Sequence, residues 1–351
     1  MNQDSNFRMG RQVGRAICVA TRLVIALGLL IAAAGHALAD HRYEGIKFHV
    51  LRTEQPGTKR LYRLLLPDQS HLYTVSKAEA DRLVTRGAKI EPMDAFVFIA
   101  QAANTVRLYR FAQKPKDGVI RWFYTAFELE MRDVSKKPTS RLHHMKCFVF
   151  PSDVAVDKLE QKDVVPVFSF YNPDSGEHFY TTLERERDDL IRAQRLTAIA
   201  ARYESLRGRR PTAVGILGDA VCVGAIEWNI KSMKRLGGTI KSESVIFDDL
   251  VAGGQFVEIE FGIENKGKSP ATLVAPRLVD AEGREYVDSV EAAWHIPKEN
   301  RLSLLRTLNP GVPATCRVVY DVPKDVRSLS ILVSGLDLDS SSEGLVELET
   351  D

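Results

Sequence analysis

The sequence predicts a mainly β protein with short helices: a pseudo-threefold domain of strand-strand-helix-strand repeats, followed by an antiparallel β-sandwich. Three observations predict it. One pattern recurs three times in the first half at constant spacing. The second half alternates apolar and polar residues between turn signals. The sign of the net charge changes where one half gives way to the other.

The 351 residues are 44% hydrophobic and 27% charged, with 23 Gly and 15 Pro, which excludes collagen-like, mucin-like and wholly disordered chains. Residues 1–39 read as a secretory signal. Arg8, Arg11, Arg15 and Arg22 precede an uncharged apolar run, Leu23 to Gly35, and Ala37-Leu38-Ala39 has the small-x-small form of a cleavage site. The run is shorter than the roughly 20 residues a membrane-crossing helix needs. Cys18 precedes the run, so a lipoprotein anchor is not supported. The expectation is an exported protein, periplasmic or extracellular, starting at Asp40 with no integral membrane span. The expected domains are 40–206, a linker over 207–223, and 224–351.

The repeats come first. Copy one starts at Leu61, copy two at Leu108 and copy three at Val167. Each ends its second strand in Tyr-Thr: Tyr73-Thr74, Tyr124-Thr125 and Tyr180-Thr181. Five residues after each Thr stands a Glu (Glu79, Glu130, Glu186), and four further an aliphatic residue (Leu83, Val134, Leu190). Ser76-x-x-Glu79, Thr125-x-x-Glu128 and Thr181-x-x-Glu184 are capping-box sequences that start a helix. Another apolar strand follows at Phe96 to Phe98 and at Phe148 to Phe150, with Tyr203 in the equivalent place of copy three. Tyr43 to Phe48 reads as a closing strand without its unit, the mark of a ring sealed by its own ends.

Copy three, Phe168-Ser-Phe-Tyr-Asn-Pro-Asp-Ser-Gly-Glu-His-Phe-Tyr-Thr181, resembles a repeat of unknown function found in secreted bacterial and fungal proteins. Copies one and two are degenerate: copy one keeps His71 but lacks the Asn-Pro-x-x-Gly turn, and copy two has Trp122 in place of the His. The resemblance implies an accessory module of secreted hydrolases, a binding role, and a ligand site best preserved in copy three.

Arg207 to Pro211 reads as linker. Beyond it, Val257, Ile259, Phe261 and Ile263 form one face of a half-buried strand. Glu264 to Pro270 is a turn, Leu278 to Tyr286 a hairpin, Leu308 to Gly311 another turn, and Cys316 to Tyr320 and Leu329 to Val333 are strands. This order resembles the telokin-like, immunoglobulin-fold domains of bacterial exported proteins, which makes the sandwich immunoglobulin-like. Glu291 to Arg306 departs from that pattern in being longer and more helical.

From Asp40 to Arg210 there are 30 basic and 23 acidic residues, and from Pro211 onward 14 and 22. The basic residues are dispersed, which argues against nucleic acid as partner. Of the three cysteines after residue 39, Cys222 and Cys316 are the expected disulfide, with Cys147 buried beside Phe148. No nucleophile elbow, zinc-protease helix, phosphate loop or paired Cys-x-x-Cys is present, so no catalytic residue, metal site or cofactor is assigned. His143, His144 and Cys147 lack a fourth ligand. The candidate ligand residues are Tyr171, Asn172, His178 and Tyr180, which combine apolar rings with polar tips. The same aromatic positions also suit the core of a threefold ring. The expected function is non-enzymatic binding of a carbohydrate or another envelope component. The alternatives are a protein-interaction role for the sandwich and, third, a hydrolase.

Overall fold

The computed structural model describes residues 41–349 except 115–117, 243–247, 296–300, 303–305 and 337–341. The expected signal, 1–39, lies outside the described residues. The chain divides into two units, Met1–Gln194 and Arg195–Asp351.

The first unit opens with β1 (Arg42–Leu51) and β2 (Thr58–Arg60). Copy one follows as β3 (Tyr62–Leu65), β4 (His71–Thr74), α1 (Lys77–Val84), β5 (Lys89–Glu91) and β6 (Phe96–Phe98). After β7 (Val106–Arg107), copy two is β8 (Tyr109–Gln113), β9 (Arg121–Thr125), α2 (Glu128–Ser135), β10 (Ser140–His143) and β11 (Phe148–Pro151). Copy three is β12 (Val164–Tyr171), β13 (His178–Thr181) and the start of α3 (Glu184–Arg207). The hairpins β3–β4, β8–β9 and β12–β13 are antiparallel, and each has a third strand against its first. That strand is β5 on β3 and β10 on β8. On β12 it is β1, from the opposite end of the unit. The ring closes as the fragment at Tyr43 suggests. Tyr203 lies in α3, not in a strand, so β1 stands where copy three's own strand was expected.

A triad of buried tyrosines sits where the three copies meet. The hydroxyl of Tyr73 donates to the carbonyl of Tyr180 (2.7 Å) and accepts from its N–H (2.8 Å). Tyr124 does the same to Tyr73 (2.8 and 2.8 Å), and Tyr180 to Tyr124 (3.3 and 3.1 Å). The rings meet edge to face with centroids 5.3–5.6 Å apart. Each phenol thus satisfies one backbone donor and one acceptor of the next copy. Burial drives all three phenol pKa values upward.

The Thr and Glu of each copy have a different use from the expected capping boxes. Thr74, Thr125 and Thr181 accept the N–H two residues on, which bends the chain into the helix. Of the three expected boxes only Ser76 makes its cap bond, accepting from Glu79 N, while its own N–H goes to Thr74 and not to the Glu79 side chain. The Thr74 and Thr181 hydroxyls donate to Glu79 and Glu186 (2.5 Å each), which fixes those carboxylates for the ion pairs described below.

The second unit is a β-sandwich. One sheet runs β15 (Ala220–Val223), β16 (Ile226–Ile240), β17 (Leu250–Asn265) and β22 (Ala314–Val322). The other has the order β14 (Ala213–Ile216), β24 (Glu343–Glu347), β23 (Ser330–Ser334), β19 (Arg277–Val279) and β20 (Glu285–Tyr286). A two-stranded pair, β18 (Ala271–Leu273) with β21 (Arg306–Leu308), completes it. Trp228, Phe261 and Ile263 of the first sheet share a core with Leu278, Ile331 and Val346 of the second. The expected linker, 207–223, is a correction: its Gly-rich sequence holds β14, parallel to β24, and β15, on β16. The series also does not close at Val333, because β24 follows. Gly344 is required there, since a Cβ would stand 2.7 Å from Val223 Cγ2. From Arg195 on, α3 packs on this sheet through Ile199 and Tyr203, and Arg195 pairs with Glu347 (2.6 Å). Of the segment expected to be helical, Ala292–His295 form a short 3-10 turn.

The expected Cys222–Cys316 bridge is not formed. Cys222 is exposed on β15, between the buried Val221 and Val223, while Cys316 is buried on β22, with two strands between them. Three strand spacings put the backbones about 14 Å apart, beyond any disulfide. Cys147 is fully buried, and burial pushes its thiol up to about 12.

Candidate cleft at His178

The three copies meet at three junctions, and two of them are filled. In copy one, Arg63 lies across from Tyr73 on β3–β4. Only 3% exposed, it reaches Glu186 (2.8 Å) and Glu91 (3.1 Å) and covers the ring of Phe179. In copy two, Arg110 lies across from Tyr124, pairs with Glu79 (3.0 Å) and covers Trp122. In copy three, the residue across from Tyr180 is Ser169. No long cation leaves this position. Lys47 of β1 reaches Glu130 in its place (2.8 Å), with its ammonium over Phe123.

The exchange of Arg for Ser opens a cleft of about 620 Å³ between copies two and three. His178 forms one wall, with Tyr171 against it at 4.7 Å between centroids and Phe123 at 4.8 Å. Glu44 of β1 accepts from the Ser169 hydroxyl (2.7 Å), and its carboxylate stands 3.7 Å from His178 Nδ1. Burial pushes the Glu44 pKa up, but His178, Ser169 and Lys47 outweigh it and hold it below the usual carboxylate value. Glu130, Asp133 and Val134 reach the cleft from α2, one helical face by their i, i+3, i+4 spacing. Arg121 lines it from β9 and Ser140 from β10.

Two residues that line this cleft each hold a buried polar atom with no hydrogen-bond partner, Glu130 Oε2 and Ser140 Oγ, while His178 Nδ1 has the Glu44 carboxylate beside it. A carboxylate oxygen and a hydroxyl without partners, beside aromatic rings, suit a ligand carrying hydroxyls on an apolar ring.

The candidate residues read from the sequence separate here. His178 and Tyr171 line the cleft. Tyr180 belongs to the buried triad, so its hydroxyl is committed to the backbone and not to a ligand. Asn172 is 7% exposed, and its Oδ1 accepts from the N–H groups of Asp174 and Ser175. It shapes the loop from within. Glu44, Glu130 and Ser140 were not expected, because β1 and copy two meet copy three only in the closed ring. The missing Arg at Ser169 was the available signal. Among the described residues no group of His, Cys, Asp or Glu is placed to hold a metal ion.

Two stretches of the chain match two different families. Residues 33–149 and 151–205 match the family described as Domain of unknown function (DUF5648). Residues 215–341 match Domain of unknown function (DUF4352). No curated protein matches the chain. Among solved structures, the yjhA protein of Bacillus subtilis is 18% identical, with 38% of this chain and 99% of that one covered and a TM-score of 0.30. An uncharacterised β-sandwich protein of Clostridium difficile is 14% identical (40% and 97% covered, TM-score 0.27). The secreted protein MPT63 of Mycobacterium tuberculosis is 15% identical (39% and 97% covered, TM-score 0.27). Likeness at this level carries no argument about function. Among the described residues no helix is long and apolar enough to cross a membrane.

Proposed function

We propose that the chain is an exported binding protein whose first unit holds a carbohydrate, or a closely similar polyhydroxylated envelope component, in the His178 cleft. The observation that carries this reading is the broken threefold pattern. At the one junction where the arginine across from the triad tyrosine is replaced, by Ser169, a cleft opens that is lined by Tyr171, Phe123 and two residues with unsatisfied buried polar atoms, Glu130 and Ser140. The sugar ring lies against Tyr171, and its hydroxyls donate to Glu130 and bond His178 and Ser140.

The test is a glycan-array and cell-wall pull-down screen of the purified protein beside His178→Ala and Ser169→Arg. Binding is expected to be saturable and lost in both variants. Ser169→Arg is the sharper probe, because arginine fills this position in the other two copies without loss of fold. Glycan binding that survives the arginine would place the ligand elsewhere. A well-folded protein that binds no glycan would remove the carbohydrate reading and turn the search to protein partners of the sandwich.

A hydrolytic reading draws on the same cleft, which joins His178 to the carboxylates of Glu44, Glu130 and Asp133. A reducing-end assay on any glycan the protein binds separates the two: steady release of new ends supports hydrolysis, and stoichiometric capture supports binding.

A further inference from the structure

The loop between β12 and β13, Asn172 to Glu177, forms one edge of the cleft through Gly176 and leads directly into His178. It is held from both sides. Arg121 donates to the carbonyl of Ser175 (3.1 Å). On the other side the Glu177 side chain turns away from the cleft and meets His71 of copy one, Nδ1 to Oε1 at 2.7 Å. His71 is 5% exposed, and its other nitrogen, Nε2, meets Glu91 of β5 at 3.2 Å. The surrounding groups are Arg63 on β3, bonded to Glu91 and to Glu186 of α3; His41, 3.7 Å from Glu177; and the edge-on ring of Phe179 on β13.

An imidazole ring between two carboxylates has one arrangement that satisfies both: each nitrogen carries a proton and donates. The neutral ring has a single N–H, so one nitrogen lone pair must then face a carboxylate oxygen. We propose that His71 is a positioning residue of the cleft: its doubly donating imidazolium ties Glu177 to copy one, and loss of one proton releases the loop that carries Gly176 and His178. The proposal rests on the reading of the cleft as the binding site. It adds that ligand capture is favoured on the acid side and weakened as the medium turns alkaline. Burial lowers the His71 pKa, but Glu177 and Glu91 more than compensate, so it stands above its ordinary 6.5.

The test needs no ligand. Amide hydrogen exchange of residues 172–178 is followed from pH 5.5 to 9, each rate normalised to its intrinsic chemical rate, while the His71 imidazole is titrated by NMR. Protection of the loop is expected to fall about tenfold in one step whose midpoint coincides with the His71 titration. Protection of β16 and β17 should stay level. In His71→Gln, whose amide can donate to only one side in a given flip, the step should vanish. A flat profile in the unaltered protein, a step that survives in His71→Gln, or a midpoint away from the His71 titration would overturn the proposal. Should His71→Gln fail to fold, the coincidence of midpoints in the unaltered protein decides alone. A fruitless glycan screen leaves this result standing, and a flat exchange profile leaves the cleft's glycan binding standing.

Discussion

Ser169 shows how far one side chain can set a site. Its partner across the hairpin, Tyr180, is bonded like Tyr73 and Tyr124, so the backbone around it is the same in kind. What differs is the absent arginine, with Lys47 reaching Glu130 in its place and Glu44 accepting from the Ser169 hydroxyl. The triad itself is a second residue-scale feature with a measurable cost. Tyr180→Phe removes a hydroxyl that satisfies both the N–H and the carbonyl of Tyr124, leaving two buried backbone groups unpaired. The loss should be about 2 kcal/mol or more in chemical denaturation, with the first unit still folded. The thiols provide a third check. Cys222 should react with an aromatic disulfide reagent in the native state, while Cys147 and Cys316 react only after unfolding. A bridged Cys222 would show no native reactivity.

At the scale of elements, legibility in the sequence followed side-chain repetition. The Tyr-Thr pair and the Glu five residues on were visible three times: the tyrosines make the same contact in each copy, and each Glu takes an ion pair, Glu79 and Glu186 from an arginine and Glu130 from Lys47. β5 and β10 were not visible. Their sequences, Lys-Ile-Glu and Ser-Arg-Leu-His, are polar and mostly exposed, so no alternation betrays them. β14 and β15 were hidden by Gly215 and Gly218, which read as linker. For the site, His178 and Tyr171 were legible as residue types on a loop, whereas Glu44, Glu130 and Ser140 come from other copies and only the ring unites them. β1 is the strand that makes this union. Proline at Ile46, which pairs with Phe168 in β12, should strain that pairing and lower the melting temperature of the first unit, while Pro at the exposed, unpaired Glu54 should have little effect. Scanning calorimetry checks both; equal effects would deny β1 its closing role.

For the molecule as a whole, stability should depend on pH from two directions. His71 has a raised pKa in the folded state, so its contribution is full below 6.5 and is lost as pH climbs through the folded value. Glu91 has a lowered one: burial raises it, but His71 and Arg63 bring it below 4.5, so its contribution is full above 4.5 and is lost as pH falls. The contribution of this pair to the melting temperature should therefore be greatest between about 4.5 and 6.5 and decline on either side. His71→Gln should flatten the alkaline decline, and an unchanged alkaline slope in that variant would assign the dependence to other groups.

The closed ring also governs how the first unit comes into being. Arg42 pairs with Tyr171, so the first strand of the unit, which touches β6 and β11 only at its far end, waits for β12 before most of its length is paired. Nearly all of the first unit must be present before the three tyrosines can satisfy one another. That is a large loop-closure entropy to meet ahead of any reward, and a barrier of this kind slows folding more than it alters final stability. The consequence is kinetic: a slow, all-or-none assembly with no foothold for a stable partial ring, and a correspondingly slow return once the strand is pulled away.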